Sequence, residues 1–171
     1  MGQGVGVKVY PKFLLELDSK LEKYFKNQAD YVCCKKGCSA CCEKGDYPIS
    51  ELELRYIMQG YSEVDSETKL KIQQNLSTIE KGGKCPFLVN NECSIYSYRP
   101  IICRVHGLAY LCENGIVKLP YCANEGKNFA NVYKDEIFSS EPIREDLNTP
   151  NLLKDLEYGE IRNLYDWIKN S

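Results

Sequence analysis

The sequence has little histidine, no long hydrophobic run and no excess of positive charge. Histidine occurs once among the 171 residues, as His106, and no apolar stretch approaches the roughly 20 residues that cross a membrane. The 22 Lys and Arg residues are scattered among 24 Asp and Glu residues, which gives a net charge of −2. Without a basic stripe to neutralise phosphates, nucleic-acid binding has no electrostatic support. We therefore expect neither a membrane nor a nucleic acid as partner.

Targeting and catalytic motifs are missing as well. The N-terminal segment MGQGVGVKVYPKF lacks the apolar stretch of a secretory signal, and Gly6 stands where a myristoylation signal has Ser or Thr. The expected compartment is therefore the cytosol. The sequence contains no Gly-rich phosphate loop, no pair of catalytic carboxylates and no Ser–His–Asp set. No familiar enzyme class is indicated, and a protein partner or a small-molecule substrate stays open.

The composition is that of an ordinary globular protein, with 43% hydrophobic and 27% charged residues. A chain of 171 residues suits one domain, so we predict a single domain over residues 1–171. Pro11 is predicted to open a first helix that buries Leu14, Leu17 and Leu21. A last amphipathic helix is predicted over residues 149–171.

Two further helices and two hairpins are predicted between these ends. Ser50 and Glu53 have the spacing of a capping box, and the helix that follows is expected to bury Leu54, Ile57, Met58 and Tyr61. The next helix is predicted over residues 66–81, stopped by Gly82-Gly83. Turn residues at Asn90-Asn91 and Asn114-Gly115 predict two short β-hairpins. The expected fold is α+β and mainly helical, with hairpins too short to be stable alone and stapled by a metal.

Ten cysteines are the dominant feature of the sequence, and five of them fall within VCCKKGCSACCEKG, residues 32–45. In a reducing compartment such clustering favours metal binding over disulfides, although a disulfide framework stays open if an export signal has been removed. Cys38 and Cys41 have the spacing of a zinc knuckle. Adding Cys34 gives a spacing typical of a cubane iron–sulfur cluster of the 4Fe–4S type.

The doublet Cys41-Cys42 bears on the choice of metal. Adjacent side chains point in different directions in a helix or a strand, so both sulfurs are not expected on one tetrahedral zinc. They could serve different irons of one cluster or two separate metal sites. This divergence favours iron–sulfur chemistry, with zinc as the alternative.

The cysteine pattern resembles the CxxCxxCC cysteine-cluster family, a zinc- or iron-chelating domain family. The segment CKKGCSACC, residues 34–42, is followed by CPFLVNNECSIYSYRPIICR, residues 85–104, and Cys122 fits a further downstream cysteine. Three residues rather than two separate Cys34 from Cys38, so the first ligand is Cys33 or Cys34. The resemblance covers residues 33–125 and implies a cysteine-cluster metal-binding region. It implies a ligand pool of eight thiols: Cys34, Cys38, Cys41, Cys42, Cys85, Cys93, Cys103 and Cys122.

Other residues near the cluster have two interpretations each. His106 could be a ligand or a proton-transfer group, or could simply pack and form hydrogen bonds. Arg99 and Arg104 could offset thiolate charge, or could be solvated at the surface or a helix end. Cys33 and Cys112 are expected to be free and buried. Two function classes remain: a metal-binding module for electron transfer, metal handling or a complex, and an enzyme that uses the metal centre to bind or activate a substrate.

Overall fold

A computed structural model describes residues 3–35, 37–111, 115–130, 132, 147 and 149–169. The helices of this part are α1 Gln3–Asn27, α2 Glu51–Glu63, α3 Ser66–Ser77, α4 Ile101–Val105, α5 Thr149–Leu152 and α6 Leu164–Lys169. Its strands are β1 Pro48–Ser50, β2 Leu88–Val89, β3 Glu92–Cys93, β4 Tyr110–Leu111, β5 Val117–Lys118 and β6 Ile161–Asn163. Single 3₁₀ turns cover Cys42–Lys44 and Tyr96–Tyr98, and a longer one covers Tyr121–Glu125. None of the helices in these ranges combines the length and the apolar character needed to cross a membrane.

The strands form three separate two-stranded antiparallel sheets. Strands β2 and β3 make the first predicted hairpin, and Asn90 and Asn91 turn it with φ of 52° and 62°. Strands β4 and β5 make the second, with Gly115 at φ 78°, while Asn114 lies outside the described residues. The third sheet pairs β1 with β6, so that Ile49 lies opposite Arg162. The predicted α+β, mainly helical single domain is confirmed.

Two apolar clusters hold the helices and sheets together. In the first, the stripe Tyr10, Leu14, Leu17 and Leu21 of α1 packs against α2 and α4. This confirms the predicted inner face of α1. The second cluster lies between α2, α3 and the strands, and its buried members are Ile49, Ile57, Ile72, Phe87, Val89, Ile95 and Leu164.

Two helix ends differ from the prediction. Helix α1 begins at Gln3, and Pro11 lies inside it. The first turn of a helix suits proline because the N–H that proline lacks has no partner there. Inside a helix, proline removes a backbone hydrogen bond and lowers the stability of the helix by about 3 kcal/mol. Helix α3 ends at Ser77, before the glycines, because Thr78 leaves the helical conformation with φ −108° and ψ 7° and its N–H donates to Asn75 O.

The buried face of α2 also differs from the predicted stripe. Met58 is 45% exposed, and Leu54 and Tyr61 are only half-buried. The buried residues are Leu52, Glu53, Tyr56, Ile57 and Gly60. Gly60 explains why the observed buried face differs from the predicted one, since a Cβ added to Gly60 would lie 2.4 Å from the ring of Tyr98. The helix therefore turns its smallest residue toward the 3₁₀ turn at Tyr96–Tyr98, and Met58 faces away.

The predicted C-terminal helix over residues 149–171 is wrong. Helix α5 ends at Leu152, and β6 and α6 follow. Strand pairing with β1 overrides the helical pattern, and Gly159 at φ 70° redirects the chain before β6. Asp46 secures the arrangement: its carboxylate accepts hydrogen bonds from Tyr165 N (2.9 Å) and from Gly82 N (2.8 Å).

The carboxyl group of Glu53 is completely buried and joins three helices. It completes the predicted capping box of α2, accepting hydrogen bonds from the backbone N–H and the hydroxyl of Ser50, both at 2.8 Å. It also accepts from Ile101 N at the start of α4 (2.9 Å) and from the hydroxyl of Tyr10 in α1 (3.4 Å). Burial and the adjacent Glu53 raise the pKa of Tyr10, so this hydroxyl stays protonated and donates.

Replacing Glu53 by Ala should strongly destabilise the fold. The change leaves buried donors on Ser50, Ile101 and Tyr10 without their acceptor, which should lower the free energy of unfolding by about 3 kcal/mol or more in chemical denaturation. Glu67→Ala is the matched control, since Glu67 lies in the first turn of α3 but is exposed and pairs with Lys71 at the surface. We expect that control to cost about 0.5 kcal/mol or less. Equal losses for both variants would contradict this role of Glu53.

Candidate metal centre

All eight cysteines of the predicted ligand pool line one cavity of about 370 Å³. They come from the loop before β1, from the β2–β3 hairpin and its approach, from α4 and from the 3₁₀ turn at Tyr121–Glu125. Cys33 lies beside this wall without lining it, and Cys112 falls outside the described residues. All nine described cysteines are unbridged. The structure thus gathers around one space thiols that are distant in the chain.

Five of these thiols form one group, called here the five-cysteine group: Cys41, Cys42, Cys85, Cys93 and Cys103. Cys42 begins a 3₁₀ turn, and its carbonyl accepts a hydrogen bond from Cys85 N at 2.8 Å. Gly45 packs so closely that an added Cβ would lie 2.4 Å from the Cβ of Cys85. Cys93 ends β3, and α4 carries Cys103. Backbone contacts therefore bring the first cysteine loop against the hairpin.

The doublet in this group does not diverge as expected. The Sγ atoms of Cys41 and Cys42 lie 4.0 Å apart, and both line the cavity. Cys41 has helical backbone angles and leads directly into the 3₁₀ turn, a tighter geometry than either the helix or the strand on which the expectation rested. Two sulfurs on a tetrahedral zinc with Zn–S of about 2.3 Å would be separated by ~3.8 Å. The expected divergence is therefore wrong and does not discriminate between the metals.

Burial and crowding raise the pKa of Cys41, Cys93 and Cys103 and so favour their protonated forms. Burial raises the pKa of Cys103 well above its usual value, and Cys41 and Cys42 add to this effect. The hydrogen bond to Cys42 is the main cause of a raised pKa at Cys41, followed by burial. Arg99 acts in the opposite direction on Cys41, Cys93 and Cys103. A bound metal must displace thiol protons, and Arg99 is placed to offset the resulting negative charge.

The two arginines have different tasks. The guanidinium of Arg99 lies 3.6 Å from the ring centroid of Tyr96, and its Nε donates to the carbonyl of Tyr96 at 3.0 Å. Arg104 is buried and donates to the carboxylate of Asp18 in α1, to the carbonyl of Ser97 and to the carbonyl of Arg99. Its burial and its pairing with Asp18 rule out the surface interpretation, although Arg104 does lie in the last turn of α4. An offset of thiolate charge by Arg104 stays a prediction. Arg104 ties the loop that carries Arg99 to α1.

The remaining thiols form a second group, called here the four-cysteine group: Cys33, Cys34, Cys38 and Cys122. Burial raises the pKa of Cys34 to about 11, and the neighbouring Cys38, Cys122 and Cys33 add to it. Cys122 is buried, whereas Cys33 is exposed rather than buried as expected. Thiols within each group affect one another most strongly. The nine described cysteines thus fall into two groups, and all of them except Cys33 line the cavity.

Sequence reasoning missed Asn128, which contacts the four-cysteine group. Its side chain is 1% exposed and forms hydrogen bonds with Cys33, Cys34 and Gly107. Asn128 lies in the polar segment NEGKNFAN, whose composition predicts an exposed loop. No pattern in this segment indicates that one asparagine is buried. Only the fold of the distant cysteine loop makes this position important.

The single histidine lies beside the five-cysteine group. The imidazole of His106 packs against the ring of Tyr47, with ring centroids 5.3 Å apart, and both residues line the cavity. Burial lowers the pKa of His106, which favours the neutral imidazole. Tyr47 donates its hydroxyl to the carbonyl of Cys41 at 2.9 Å. The packing expected for His106 is therefore present, and a ligand role stays a prediction.

The donor chemistry fits a metal, although the thiols are not preassembled. In the conformation described, no three Cys, His, Asp or Glu side chains of the described residues are already arranged to hold one metal ion. Binding must therefore draw the sulfurs inward, as expected where metal binding and folding are coupled. Thiolates are the preferred ligands of structural zinc and of iron–sulfur clusters. Arg99 and the buried amide of Asn128 add the outer contacts that such centres use.

Comparison with known proteins supports the same chemistry. The family model described as "CxxCxxCC: Putative zinc- or iron-chelating domain" matches residues 33–133, which is more than half of the chain. No curated protein and no solved structure matches the chain at a significant level. The matched range begins at the first cysteine doublet and includes every residue of both cysteine groups. On this match, the chain belongs to the CxxCxxCC family of zinc- or iron-chelating domains.

Proposed function

We propose that this protein holds an iron–sulfur cluster in the cysteine-lined cavity and serves in the cytosol in redox chemistry, metal handling or as part of a complex. The observation that supports this most is the convergence of eight cysteines on one cavity. Eight thiols are twice the four that either a structural zinc or a cubane cluster takes, so the cavity has enough thiols for two centres or for one centre with spare thiols. A volume of about 370 Å³ also far exceeds the space of a single ion, since a water molecule takes roughly 30 Å³.

The ligands are proposed to come from Cys34, Cys38, Cys41, Cys42, Cys85, Cys93, Cys103 and Cys122. An iron–sulfur cluster bound there supplies one-electron redox chemistry, with a potential set by net charge, burial and hydrogen bonds to sulfur. The protein contributes the neighbouring guanidinium of Arg99 and a wall closed on one side by Tyr47 and His106. An enzymatic role is the alternative, and it would need a coordination position left open for substrate.

Zinc is the second candidate, and the geometry of the doublet is compatible with it. The 4.0 Å between the sulfurs of Cys41 and Cys42 is close to the ~3.8 Å expected for two thiolates on one tetrahedral zinc. In that case the five-cysteine group alone has enough thiols for a closed zinc site. Such a site would contribute folding free energy and no redox chemistry.

Protein purified anaerobically should be brown and should contain iron and acid-labile sulfide. The physical reason is sulfur-to-iron charge transfer, which gives broad visible absorption. Elemental analysis and a visible spectrum of the same sample provide the measurement. Colourless protein with stoichiometric zinc, obtained after expression in iron-rich medium, would reject the cluster and leave the zinc centre.

Replacing Cys41 by Ser should remove most of the bound metal. Its sulfur lines the cavity and lies next to that of Cys42, and serine is a poor substitute for a thiolate. Cys112→Ser is the matched control, because Cys112 is outside the proposed pool, and its metal content should equal that of the unmodified protein. Metal retained without Cys41 but lost without Cys112 would show that the pool is wrongly assigned.

Stripping the metal should expose the loops of residues 31–47 and 84–122 to protease before helix α1. The described parts of these segments are turns, short hairpins and single helical turns with little core of their own, whereas α1 contributes a full buried stripe. Limited proteolysis with mass mapping, before and after chelation, provides the measurement, and restoring the metal should restore protection. Unchanged protection in the stripped protein would mean that the metal has no structural role.

A further inference from the structure

The side chain of Asn128 uses its full hydrogen-bonding capacity next to the cysteine doublet that precedes the cluster. Its Oδ1 accepts from Cys33 N at 2.9 Å and lies 3.0 Å from Cys33 Sγ. Its Nδ2 donates to Gly107 O at 2.7 Å and to Cys34 Sγ at 3.0 Å. One buried amide therefore contacts both adjacent sulfurs, each through a different atom.

The orientation of this amide is fixed by partners that cannot exchange roles. The backbone N–H of Cys33 can only donate, so it must face Oδ1, and the carbonyl of Gly107 can only accept, so it must face Nδ2. A flipped amide would place Oδ1 against the carbonyl oxygen of Gly107 and Nδ2 against the N–H of Cys33, so neither pair could form a hydrogen bond. The assignment of Oδ1 to Cys33 and of Nδ2 to Cys34 therefore follows from the backbone.

This polarity distinguishes the two sulfurs. Metal-bound thiolate sulfur accepts hydrogen bonds, and N–H donors next to it stabilise its charge. Cys34 receives such a donor and lines the cavity. Cys33 instead faces an oxygen lone pair, which suits an S–H donor and would repel a thiolate, and it lies outside the cavity wall.

The surrounding backbone holds Asn128 in place and extends its contacts. Phe129 stacks on Tyr31 with ring centroids 5.7 Å apart, and Phe129 N donates to Tyr31 O at 2.7 Å, which docks this segment beside the cysteine doublet. Burial raises the pKa of Cys122, and a hydrogen bond from the backbone N–H of Asn128 acts in the opposite direction. A Cβ added to Gly107 would lie 2.6 Å from Cys34 Sγ, so the space is shaped for this contact.

We propose that Asn128 is a positioning residue of the metal centre, which makes Cys34 the first ligand and keeps Cys33 as a free thiol that donates to its Oδ1. The inference rests on the proposed metal-binding function and deepens it. It settles which of two adjacent cysteines takes the first place in a motif whose spacing here is one residue longer than the family pattern. Asn128 contacts the ligand sulfurs of Cys34 and Cys122 without being a ligand itself.

The first test uses the unmodified protein as purified with its metal. The protein is treated briefly with a thiol alkylating reagent. Tandem mass spectrometry of the peptide that contains both residues then measures the alkylation of Cys33 and of Cys34 separately. Cys33 should be modified at least tenfold faster than Cys34, and the difference should become smaller after the metal is removed with a chelator. Labelling of Cys34 with protection of Cys33 would overturn the inference.

The second test changes the amide and the two cysteines. Cys34→Ala should lose metal and Cys33→Ala should keep it. Asn128→Asp keeps the acceptor for Cys33 but replaces the donor to Cys34 and Gly107 by an oxygen, so metal transfer to a chelator should accelerate tenfold or more. Gln28→Glu is the matched control, because Gln28 is another buried amide, which accepts from Ala109 N. It should destabilise the fold while preserving the labelling preference for Cys33, which Asn128→Asp should reduce.

The outcomes separate the two proposals. Protein that contains no metal would overturn the proposed function and the inference together. Protein that contains metal, keeps it without Cys34 and loses it without Cys33 would overturn the inference alone. Equal chelator transfer in Asn128→Asp and the unmodified protein would also overturn it, because Asn128 would then have no effect on the bound metal.

Discussion

The buried carboxyl group of Glu53 is the interaction on which the arrangement of the site depends. It joins the N-terminus of α2, the N-terminus of α4 and the hydroxyl of Tyr10 in α1. Helix α4 carries Cys103, and Arg104 in the same helix bonds back to Asp18 of α1. Two polar contacts therefore fix α4 against α1 from both ends. Because a buried carboxyl group needs its donors, the helices cannot separate without leaving it uncompensated.

The cavity wall, unlike the helices, is stabilised only weakly by its own contacts. Its thiols are close enough to raise one another's pKa, and short loops and hairpins rather than long elements carry most of them. Helices α1 and α2 form a frame with a buried apolar core of its own. The loops contact one another, as Gly45 does Cys85 and Phe129 does Tyr31. A metal would convert mutual repulsion between thiolates into shared attraction. The frame and the wall thus obtain their stability from different sources.

The features that the sequence predicted correctly depend on neighbouring residues. The Asn90-Asn91 turn and the Ser50–Glu53 capping box are examples, because their hydrogen bonds are made within a few residues. The convergence of the eight cysteines was predictable from the family pattern rather than from local spacing. The features that the sequence did not predict depend on distant contacts. Met58 is exposed because Gly60 must face Tyr98, and residues 161–163 form a strand because β1 is available to pair.

Asn128 belongs to the same class of unpredicted features. Asn128 contacts the cysteines only because the fold places residues 31–34 beside it. The sequence around Asn128 does not predict this contact. The doublet Cys41-Cys42 was misjudged for a related reason. Its side-chain directions follow from a 3₁₀ turn that sequence spacing does not specify.

The pairing of β1 with β6 has a consequence for the order of assembly. Residues 161–163 complete a sheet with residues 48–50. Close to this sheet, the carboxylate of Asp46 accepts hydrogen bonds from both Tyr165 N and Gly82 N. The next residue in the chain, Tyr47, lines the cavity. During synthesis the cysteine segments leave the ribosome well before their supporting strand exists. The thiols therefore pass through a period without their final wall, in which metals and oxidants can reach them. Metal insertion into a finished site must wait until nearly the whole chain has been made.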